Sequence, residues 1–269
     1  MEAKEQVALC PLSTADWTIE QDLRLATSLG LRRLSVTTSK LERAGGMSRV
    51  AQLIGDAGFR IDVVYPSVGL DLSRPKGWAP AREALRVGIE VAAELGATGV
   101  LVTAGGRGMP FERAVETLDA FVEPLRSGAR ATGIDLLLEP VRTQFAYAGF
   151  VHTLRDGVAL AEALDMGLVV DITHCWWEPC LHATLAAAVG RIAVVHLADL
   201  ALDGPVLDRV VPGDGDLPIA SFLSALLTAG YEGPFEVELM GPAIRQEGIA
   251  AALTRAVNVV CSLWPHPTS

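Results

Sequence analysis

The most constraining feature of this chain is a regular alternation of short aliphatic runs with longer amphipathic stretches. The runs are rich in β-branched and aliphatic residues, and the stretches between them carry apolar residues at helical spacing. Strands that alternate with helices pair in parallel, because each helix carries the chain back to the start of the next strand. We predict strands at eight positions, 7–12, 32–38, 60–66, 99–105, 134–140, 167–174, 192–199 and 234–240.

Glycine punctuates this pattern, since several predicted helices stop at a glycine just before the next strand. Glycine adopts the left-handed conformation that ends a helix at little cost. Neither a GxGxxG fingerprint nor a P-loop follows the first strand, which disfavours an open doubly wound sheet. We therefore predict an α/β fold, a single (β/α)8 TIM barrel over residues 1–269, with a frayed tail at about 264–269. The glycines concerned are Gly30, Gly58, Gly96, Gly133, Gly190 and Gly230.

Charge and cysteine usage narrow the class of function. The chain has 22 Lys and Arg against 32 Asp and Glu, a net charge of −10, which repels phosphate backbones and argues against a nucleic-acid partner. We find no long uncharged apolar run and no signal-peptide pattern, so we expect no membrane partner. The four cysteines are scattered, which favours a reduced, cytoplasmic setting.

The last four predicted strands each end in, or close to, a residue that can bind a metal ion. These residues recur at intervals of roughly 25 to 40, about the length of one βα unit. In a closed parallel barrel the carboxyl ends of the strands meet around one axis, so the side chains should converge. Three buried carboxylates would repel one another without a cation. The predicted ligands are Glu139, Asp171, His196 and Glu238.

The ligand types favour a hard or borderline ion. Carboxylate oxygens with one imidazole predict one divalent cation, first Mn²⁺, with Mg²⁺ or Co²⁺ as alternatives, and zinc is less favoured because the set has no thiolate. Glu236 and Glu238 point to the same face of their strand. We predict that Glu238, nearer the carboxyl end, is the ligand and that Glu236 lies deeper and forms hydrogen bonds behind the ligands.

Further side chains near these strand ends suggest a substrate pocket. His174, three residues after Asp171, is placed above the ion where a substrate hydroxyl would lie, or else packs within its loop. Trp176 and Trp177 could cover a substrate and exclude water, although one ring is expected to pack on the next helix. Arg142 either clamps a substrate oxygen or phosphate or forms a salt bridge at the barrel rim.

Five segments carry a resemblance to a known family: LLLEP, GLVVDITHCWWEP, VVHLAD, VVPGDGDLP and AGYEGPFEVEL. The chain resembles the sugar phosphate isomerase/epimerase family of xylose isomerase-like barrels, most strongly from about 134 to 240. The resemblance implies a small sugar substrate, the ion-binding role of the four ligands, and acid/base roles for Glu139 and Glu238. It also implies that His174, Asp199 and Arg209 contact the substrate.

Two segments, WWEP and DRVVPGDG, look closer to a subgroup that acts on 3-oxo-sugars and their glycosides. Those relatives cleave the bond β to the ketone by elimination, and some have a small partner subunit. Several of them are expected to carry a histidine shortly after the first Glu motif, where this chain has Arg142 in EPVRTQ. This departure leaves the identity of the general base open.

The predicted function is that of a metal-dependent sugar isomerase or epimerase. The cation would polarise a sugar carbonyl, and Glu139 or Glu238 would remove the neighbouring proton to form an enediolate. Reprotonation on the opposite face gives epimerisation, reprotonation on the adjacent carbon gives isomerisation, and loss of a group at the β carbon makes the protein a lyase, which is the alternative.

Two more distant alternatives belong to other classes. An endonuclease-like hydrolase would need a histidine-rich multi-metal site and a basic face, whereas this chain has five histidines and an acidic excess. A non-catalytic subunit would gain nothing from three converging carboxylates, which cost stability. Apolar, alanine-rich helices predict a homo-oligomer, although the barrel itself could bury them.

Overall fold

The computed structural model describes residues 3–106, 108–203 and 208–264 and shows a closed barrel of parallel strands. Each strand pairs with the next one along the chain, and the last pairs with the first, so the predicted (β/α)8 TIM barrel is confirmed. The strands are β1 (Val7–Leu9), β2 (Arg33–Thr37), β3 (Arg60–Tyr65), β4 (Gly99–Val102), β5 (Asp135–Leu138), β6 (Gly167–Asp171), β7 (Ile192–Leu197) and β8 (Phe235–Val237).

A helix lies close to each stretch for which one is predicted. Thr18 begins the first of them with a capping box, in which its side chain and that of Gln21 each accept a hydrogen bond from the other residue's backbone N–H. Within the described residues, no helix has both the length and the apolar character that a membrane span requires. The helices are α1 (Ile19–Ser28), α2 (Met47–Ala57), α3 (Trp78–Leu95), α4 (Phe111–Thr132), α5 (Leu154–Leu164), α6 (Leu181–Ala188), α7 (Ile219–Thr228) and α8 (Ile249–Ser262).

The helix ends follow the glycine pattern with one exception. The prediction is wrong for Gly190, which lies in the 3-10 turn Val189–Arg191 and has no positive φ, because α6 tightens into that turn instead of reversing. At the end of α5 the non-glycine residue Asp165 takes the left-handed conformation, with φ 51°. The confirmed left-handed glycines are Gly30, Gly58, Gly96, Gly133 and Gly230.

Strand register sets the level at which the predicted ligands lie. Asp171 pairs with His196 across β6 and β7, and His196 pairs with Glu236 across β7 and β8. After β7, the short strand Asp199–Leu200 pairs antiparallel with Arg209–Val210, which folds that loop back towards the barrel. The carboxyl ends of the strands therefore gather acidic, imidazole and guanidinium side chains in one place.

Two clusters of buried side chains hold the barrel together. The larger cluster lies between the strands and the surrounding helices. The smaller one comprises Val63, Tyr65, Leu101, Leu137, Val169 and Val194, which alternate along their strands with residues of the larger cluster and fill the interior. Trp264 packs edge-on against Phe235, with ring centroids 5.2 Å apart, and residues 265–269, for which fraying is predicted, lie outside the described residues.

A buried ion pair near the start of β2 and β3 links stability to pH. Arg33 donates to both carboxylate oxygens of Asp62, with its Nη2 2.5 Å from Oδ1. Burial nevertheless outweighs Arg33 and raises the pKa of Asp62 to about 6. An acid whose pKa is raised by folding favours the protonated folded state, so its ionisation weakens the fold as pH rises from about 4 to above 6.

We predict that Asp62→Asn removes this pH dependence. As pH rises from about 4 to about 7, wild type should lose on the order of 3 kcal/mol of unfolding free energy relative to the variant. Urea unfolding at both pH values measures the difference, with the exposed Asp56→Asn on α2 as control. Parallel pH profiles for wild type and Asp62→Asn would contradict the prediction.

Candidate metal and substrate site

The four predicted ligands converge at the carboxyl end of the barrel. Asp171 is the last residue of β6, His196 lies in β7, and Glu139 and Glu238 directly follow β5 and β8. One donor atom from each lies within 4.8 Å of the donors of the other three. Glu139 is half-buried and the others are buried. Four donors at this separation, drawn from four strands, could hold one divalent cation.

His196 presents its two ring nitrogens to different surroundings. Nδ1 faces the carboxylates, 2.9 Å from Glu238 Oε2 and 3.2 Å from Glu139 Oε1, while Nε2 faces the barrel interior, 2.8 Å from the Tyr65 hydroxyl. Burial opposes the charged imidazolium, yet Tyr65 and Glu238 hold the pKa of His196 well above its usual range. The distances show that Nδ1 is the ring nitrogen that faces the predicted ligands Glu139 and Glu238.

Arg209 lies within the ligand cluster. Its Nη2 is 2.5 Å from Asp171 Oδ2, and its Nη1 is 2.7 Å from Glu238 Oε2 and donates to the Glu238 carbonyl at 3.1 Å. Burial opposes the charge of Arg209, but Asp171 and Glu238 raise its pKa above the usual range. Burial also opposes the ionisation of Glu238, but Arg209 and His196 hold the pKa of that carboxyl well below its usual range, so it is ionised. Arg209, for which a substrate contact is predicted, thus supplies positive charge to the site.

The DxxH pattern places Asp171 and His174 side by side. Asp171 Oδ1 accepts a hydrogen bond from the Thr173 backbone N–H at 2.7 Å and so caps the short helix Ile172–Cys175. Asp171 Oδ2 faces Arg209 and His174, and the Nε2 atom of His174 lies 3.8 Å from this oxygen. His174 is buried, and its ring also packs against Phe145, with centroids 5.3 Å apart. The histidine therefore adjoins the site and packs against Phe145 of the neighbouring loop.

Arg142 is buried in the wall of the site rather than exposed at the barrel rim. Its Nη1 donates to the Thr173 carbonyl at 3.4 Å, and its guanidinium carbon lies 5.0 Å from the centroid of the Phe145 ring. Burial and the neighbouring Arg209 lower the pKa of Arg142. The role of Arg142 as a substrate clamp stays a prediction, and its position beside Phe145 and the loop of His174 is compatible with that role.

The two tryptophans divide into one packed ring and one exposed ring. Trp176 packs on the main core, whereas Trp177 is 43% exposed, and the two rings meet edge to face at 5.8 Å.

Glu178 of the same WWEP segment has a role that sequence reasoning missed. Its carboxylate accepts from the Leu154 and Arg155 backbone N–H groups at 2.5 and 3.3 Å, which ties the tryptophan loop to the start of α5.

Sequence reasoning also missed a path of aromatic rings that leads from the surface to the site. Phe145 lies 5.3 Å from His174 and 5.9 Å from Tyr147, measured between ring centroids, and Tyr147 is 63% exposed. The signal in the sequence is the FAY run shortly after the Glu139 strand. The path places an apolar surface beside the acidic side chains of the site.

Asp199, for which a substrate contact is predicted, instead organises the loop after β7. Its Oδ2 accepts from the backbone N–H groups of Gly213 and Gly215 at 2.9 and 3.2 Å, and its Oδ1 accepts from those of Leu200 and Leu217, both at 2.9 Å. A Cβ atom at Gly215 would lie 2.5 Å from Asp199 Oδ1, so this position requires glycine. These four bonds use both carboxylate oxygens, and the geometry assigns Asp199 to the loop rather than to a substrate.

We predict that Asp199→Asn loosens this loop. An amide has one acceptor oxygen in place of two, so buried N–H groups lose partners, and the unfolding free energy should fall by on the order of 2–3 kcal/mol. Hydrogen exchange at Gly213, Gly215 and Leu217 should accelerate, whereas the exposed Asp203→Asn serves as control. Unchanged protection of these amides in Asp199→Asn would show that the carboxylate does not hold the loop.

Several solved structures share this fold. Protein SMc04130 from Sinorhizobium meliloti 1021 has a TM-score of 0.86 at 21% identity, covering 97% of this chain and 99% of that one. The IolI protein with a binding zinc atom has a TM-score of 0.81 at 20% identity, covering 96% and 97%. The 3-keto-D-glucoside 4-epimerase YcjR from E. coli has a TM-score of 0.80 at 17% identity, covering 96% and 100%.

Sequence comparison extends this likeness from fold to family. No curated protein matches the sequence significantly. At the identities of the solved structures, their likeness shows the fold alone. The model of the family described as xylose isomerase-like TIM barrel matches residues 23–256, which is most of the chain. The chain therefore belongs to the xylose isomerase-like TIM barrel family.

Proposed function

We propose that this protein is a divalent-metal-dependent sugar isomerase or epimerase, which removes a proton next to a sugar carbonyl. The observation that carries the proposal is the convergence of Glu139, Asp171, His196 and Glu238, whose donor atoms lie within 4.8 Å of one another. Family membership and the shared fold of a 3-keto-glucoside epimerase support sugar chemistry.

The residues present fit a bound cation. Three carboxylates contribute oxygen donors and His196 contributes Nδ1, a set that suits Mn²⁺ first and Mg²⁺ or Co²⁺ next. The zinc bound by the IolI protein makes zinc a further ion to test. When bound, such an ion supplies Lewis acidity that polarises a carbonyl and acidifies the neighbouring C–H.

Glu139 and Glu238 are the two carboxylates that can exchange a proton with the substrate. Glu238 is ionised and held by Arg209 at 2.7 Å, with a side chain only 5% exposed. The Glu139 side chain is 18% exposed and therefore more accessible to a sugar. We assign proton removal to Glu139, because a carboxylate already engaged by a guanidinium is the weaker base. Protonated Glu139 can return the same proton to the adjacent carbon, which gives isomerisation. Delivery of a proton to the opposite face, which gives epimerisation, requires Glu238 first to take up a proton from solvent.

The surrounding side chains would bind and orient the sugar. His174 adjoins Asp171 and can bond a substrate hydroxyl through its ring nitrogen. Arg209 and Arg142 can stabilise negative charge that develops on substrate oxygens. Trp177 and Tyr147 offer exposed rings on which the substrate can stack, and covering the site in this way would exclude water.

A lyase that cleaves 3-oxo-glycosides by β-elimination is the second candidate. The same proton removal would start the reaction, after which the bond at the β carbon breaks and the leaving group departs with the electron pair. The path formed by His174, Phe145 and Tyr147 favours this reading, because it could accommodate an apolar group attached to the sugar. A nuclease is disfavoured, since both donor clusters found among the described residues include His196 and therefore offer no separate multi-metal site.

We further propose a cytoplasmic location and a small-molecule substrate, without a nucleic-acid or membrane partner. Four free cysteines support a reducing compartment, and the net charge of −10 disfavours polyanionic partners. A homo-oligomer and a small partner subunit are also proposals. Exposed Leu12, Tyr147, Trp177 and Met240, all on loops that follow barrel strands, offer apolar surface for such contacts.

We predict that the purified protein binds one Mn²⁺ ion and that Asp171→Asn weakens this binding at least tenfold, because the variant loses an anionic donor. Titration calorimetry and metal analysis measure affinity and stoichiometry. Asp135→Asn, at the exposed start of β5 and the opposite end of the barrel, should bind the ion as wild type does. A wild-type protein that binds no divalent ion would remove the basis of the proposed function.

We predict that Glu139→Gln and Glu238→Gln each slow the reaction by about 10² to 10⁴-fold, the usual contribution of a positioned acid or base. The measurement is NMR of Mn²⁺-loaded protein with ketoses, 3-oxo-glucosides and inososes in D₂O. Inversion or isomerisation of a sugar supports the first candidate, and release of the group at the β carbon supports the second. A variant that exchanges the substrate C–H at the wild-type rate would show that the substituted glutamate is not the base.

A further inference from the structure

A chain of buried hydrogen bonds runs through the barrel behind His196. The Val63 backbone N–H donates to Ser35 Oγ at 2.9 Å, and the Ser35 hydroxyl donates to Glu236 Oε1. The Tyr65 hydroxyl donates to Glu236 Oε2 at 3.0 Å and lies 2.8 Å from His196 Nε2. Ser35, Tyr65 and Glu236 are all buried. The chain connects β2, β3, β8 and β7, so it crosses the interior of the barrel.

Each hydroxyl in this chain has a single hydrogen, and that restricts the direction of every bond. Ser35 Oγ accepts from Val63, so its own hydrogen is available to Glu236. The Tyr65 hydrogen is directed at Glu236 Oε2, so the Tyr65 oxygen can only accept from His196. His196 therefore carries a hydrogen on Nε2, and its neutral form has the lone pair on Nδ1, the atom that faces Glu139 and Glu238.

The hydrogen bond between Tyr65 and His196 could run the other way, with Tyr65 as the donor, only at a structural cost. If Tyr65 donated to His196 Nε2, its oxygen would face Glu236 Oε2 with no hydrogen between them unless Glu236 were itself protonated. A buried pair of acceptors without a hydrogen is costly. The ring hydrogen of a neutral His196 would then lie on Nδ1 and block that nitrogen as a ligand. The two directions therefore predict opposite tautomers.

We propose that Tyr65 and Glu236 are positioning residues that hold His196 in the Nε2–H tautomer, with Nδ1 turned towards the ion. The inference deepens the proposed function and rests on the metal site described there. A ligand histidine whose second nitrogen is bonded has a defined ring orientation and a more basic donor atom. Here the carboxylate acts through an intervening tyrosine from the opposite wall of the barrel.

The same bonds account for a second group of donors. Cys10, His196 and Glu236 have donor atoms within 4.8 Å of one another and are all buried. His196 Nε2 and both Glu236 oxygens already take part in the hydrogen-bond chain. We therefore assign no ion to this cluster and interpret Glu236 as the anchor of the chain.

We predict that Tyr65→Phe weakens Mn²⁺ binding by about 10 to 100-fold, the usual effect of removing a group that orients a ligand. Without the hydroxyl, Glu236 Oε2 remains 3.5 Å from His196 Nε2, which is too far for a strong hydrogen bond. Tyr231→Phe is the matched control, since Tyr231 is also buried and its hydroxyl donates to the Pro234 carbonyl at 2.9 Å. Tyr231→Phe loses one buried hydrogen bond and Tyr65→Phe loses two, but only Tyr65→Phe should change the dissociation constant for Mn²⁺.

The ¹⁵N shifts of the His196 ring in Mg²⁺-loaded wild type report the tautomer without any substitution. We expect a hydrogen-bearing Nε2 and an Nδ1 without hydrogen. A hydrogen on Nδ1, or a Tyr65→Phe variant that binds Mn²⁺ as tightly as wild type, would overturn the proposal. If wild type binds the ion, Asp171→Asn binds it at least tenfold more weakly and Tyr65→Phe binds it as tightly as wild type, only the positioning role fails. If wild type binds no ion, the proposed function fails and the positioning role fails with it.

Discussion

Three carboxylates share the carboxyl end of a closed barrel, and the need to balance their charge shapes everything around them. Glu139, Asp171 and Glu238 come from three strands and approach within 4.8 Å of one another. Uncompensated, such a group would cost several kcal/mol per buried charge. His196 and Arg209 provide the compensation, with ion pairs of 2.5 to 2.9 Å to Asp171 and Glu238. A cation bound among these oxygens would balance part of the same negative charge.

Asp171 and Arg209 are each positioned by a contact from outside the site. Asp171 is turned by the backbone of Thr173, which occupies Oδ1 and leaves Oδ2 for the site. Arg209 reaches the cluster because its short strand pairs with the one that begins at Asp199. Asp199 in turn receives four backbone N–H groups of its own loop. Packing and hydrogen bonds therefore hold the acidic groups at separations that they would not adopt freely.

The local pattern of the sequence was enough to predict the barrel and the four converging side chains. Strand and helix periodicity can be read from neighbouring residues. Closure of the barrel brings the strand ends together independently of the conformation of the loops. Gly190 shows where local reasoning fails, because a helix can also end through a tight 3-10 turn. Asp199 shows a second limit, since an acidic residue near a strand end can serve its own loop as readily as a substrate.

The pattern of the amino-acid sequence predicted the fold class, the four side chains that converge and the deeper position of Glu236. The folded barrel was needed to show which nitrogen of His196 faces the carboxylates, that Arg209 pairs with Asp171 and Glu238, and that Tyr65 stands between His196 and Glu236. These roles depend on contacts between residues far apart in the chain, such as Tyr65 and His196, which are separated by 131 positions. Periodicity carries no information about such contacts, because they arise when distant strands meet across the barrel axis.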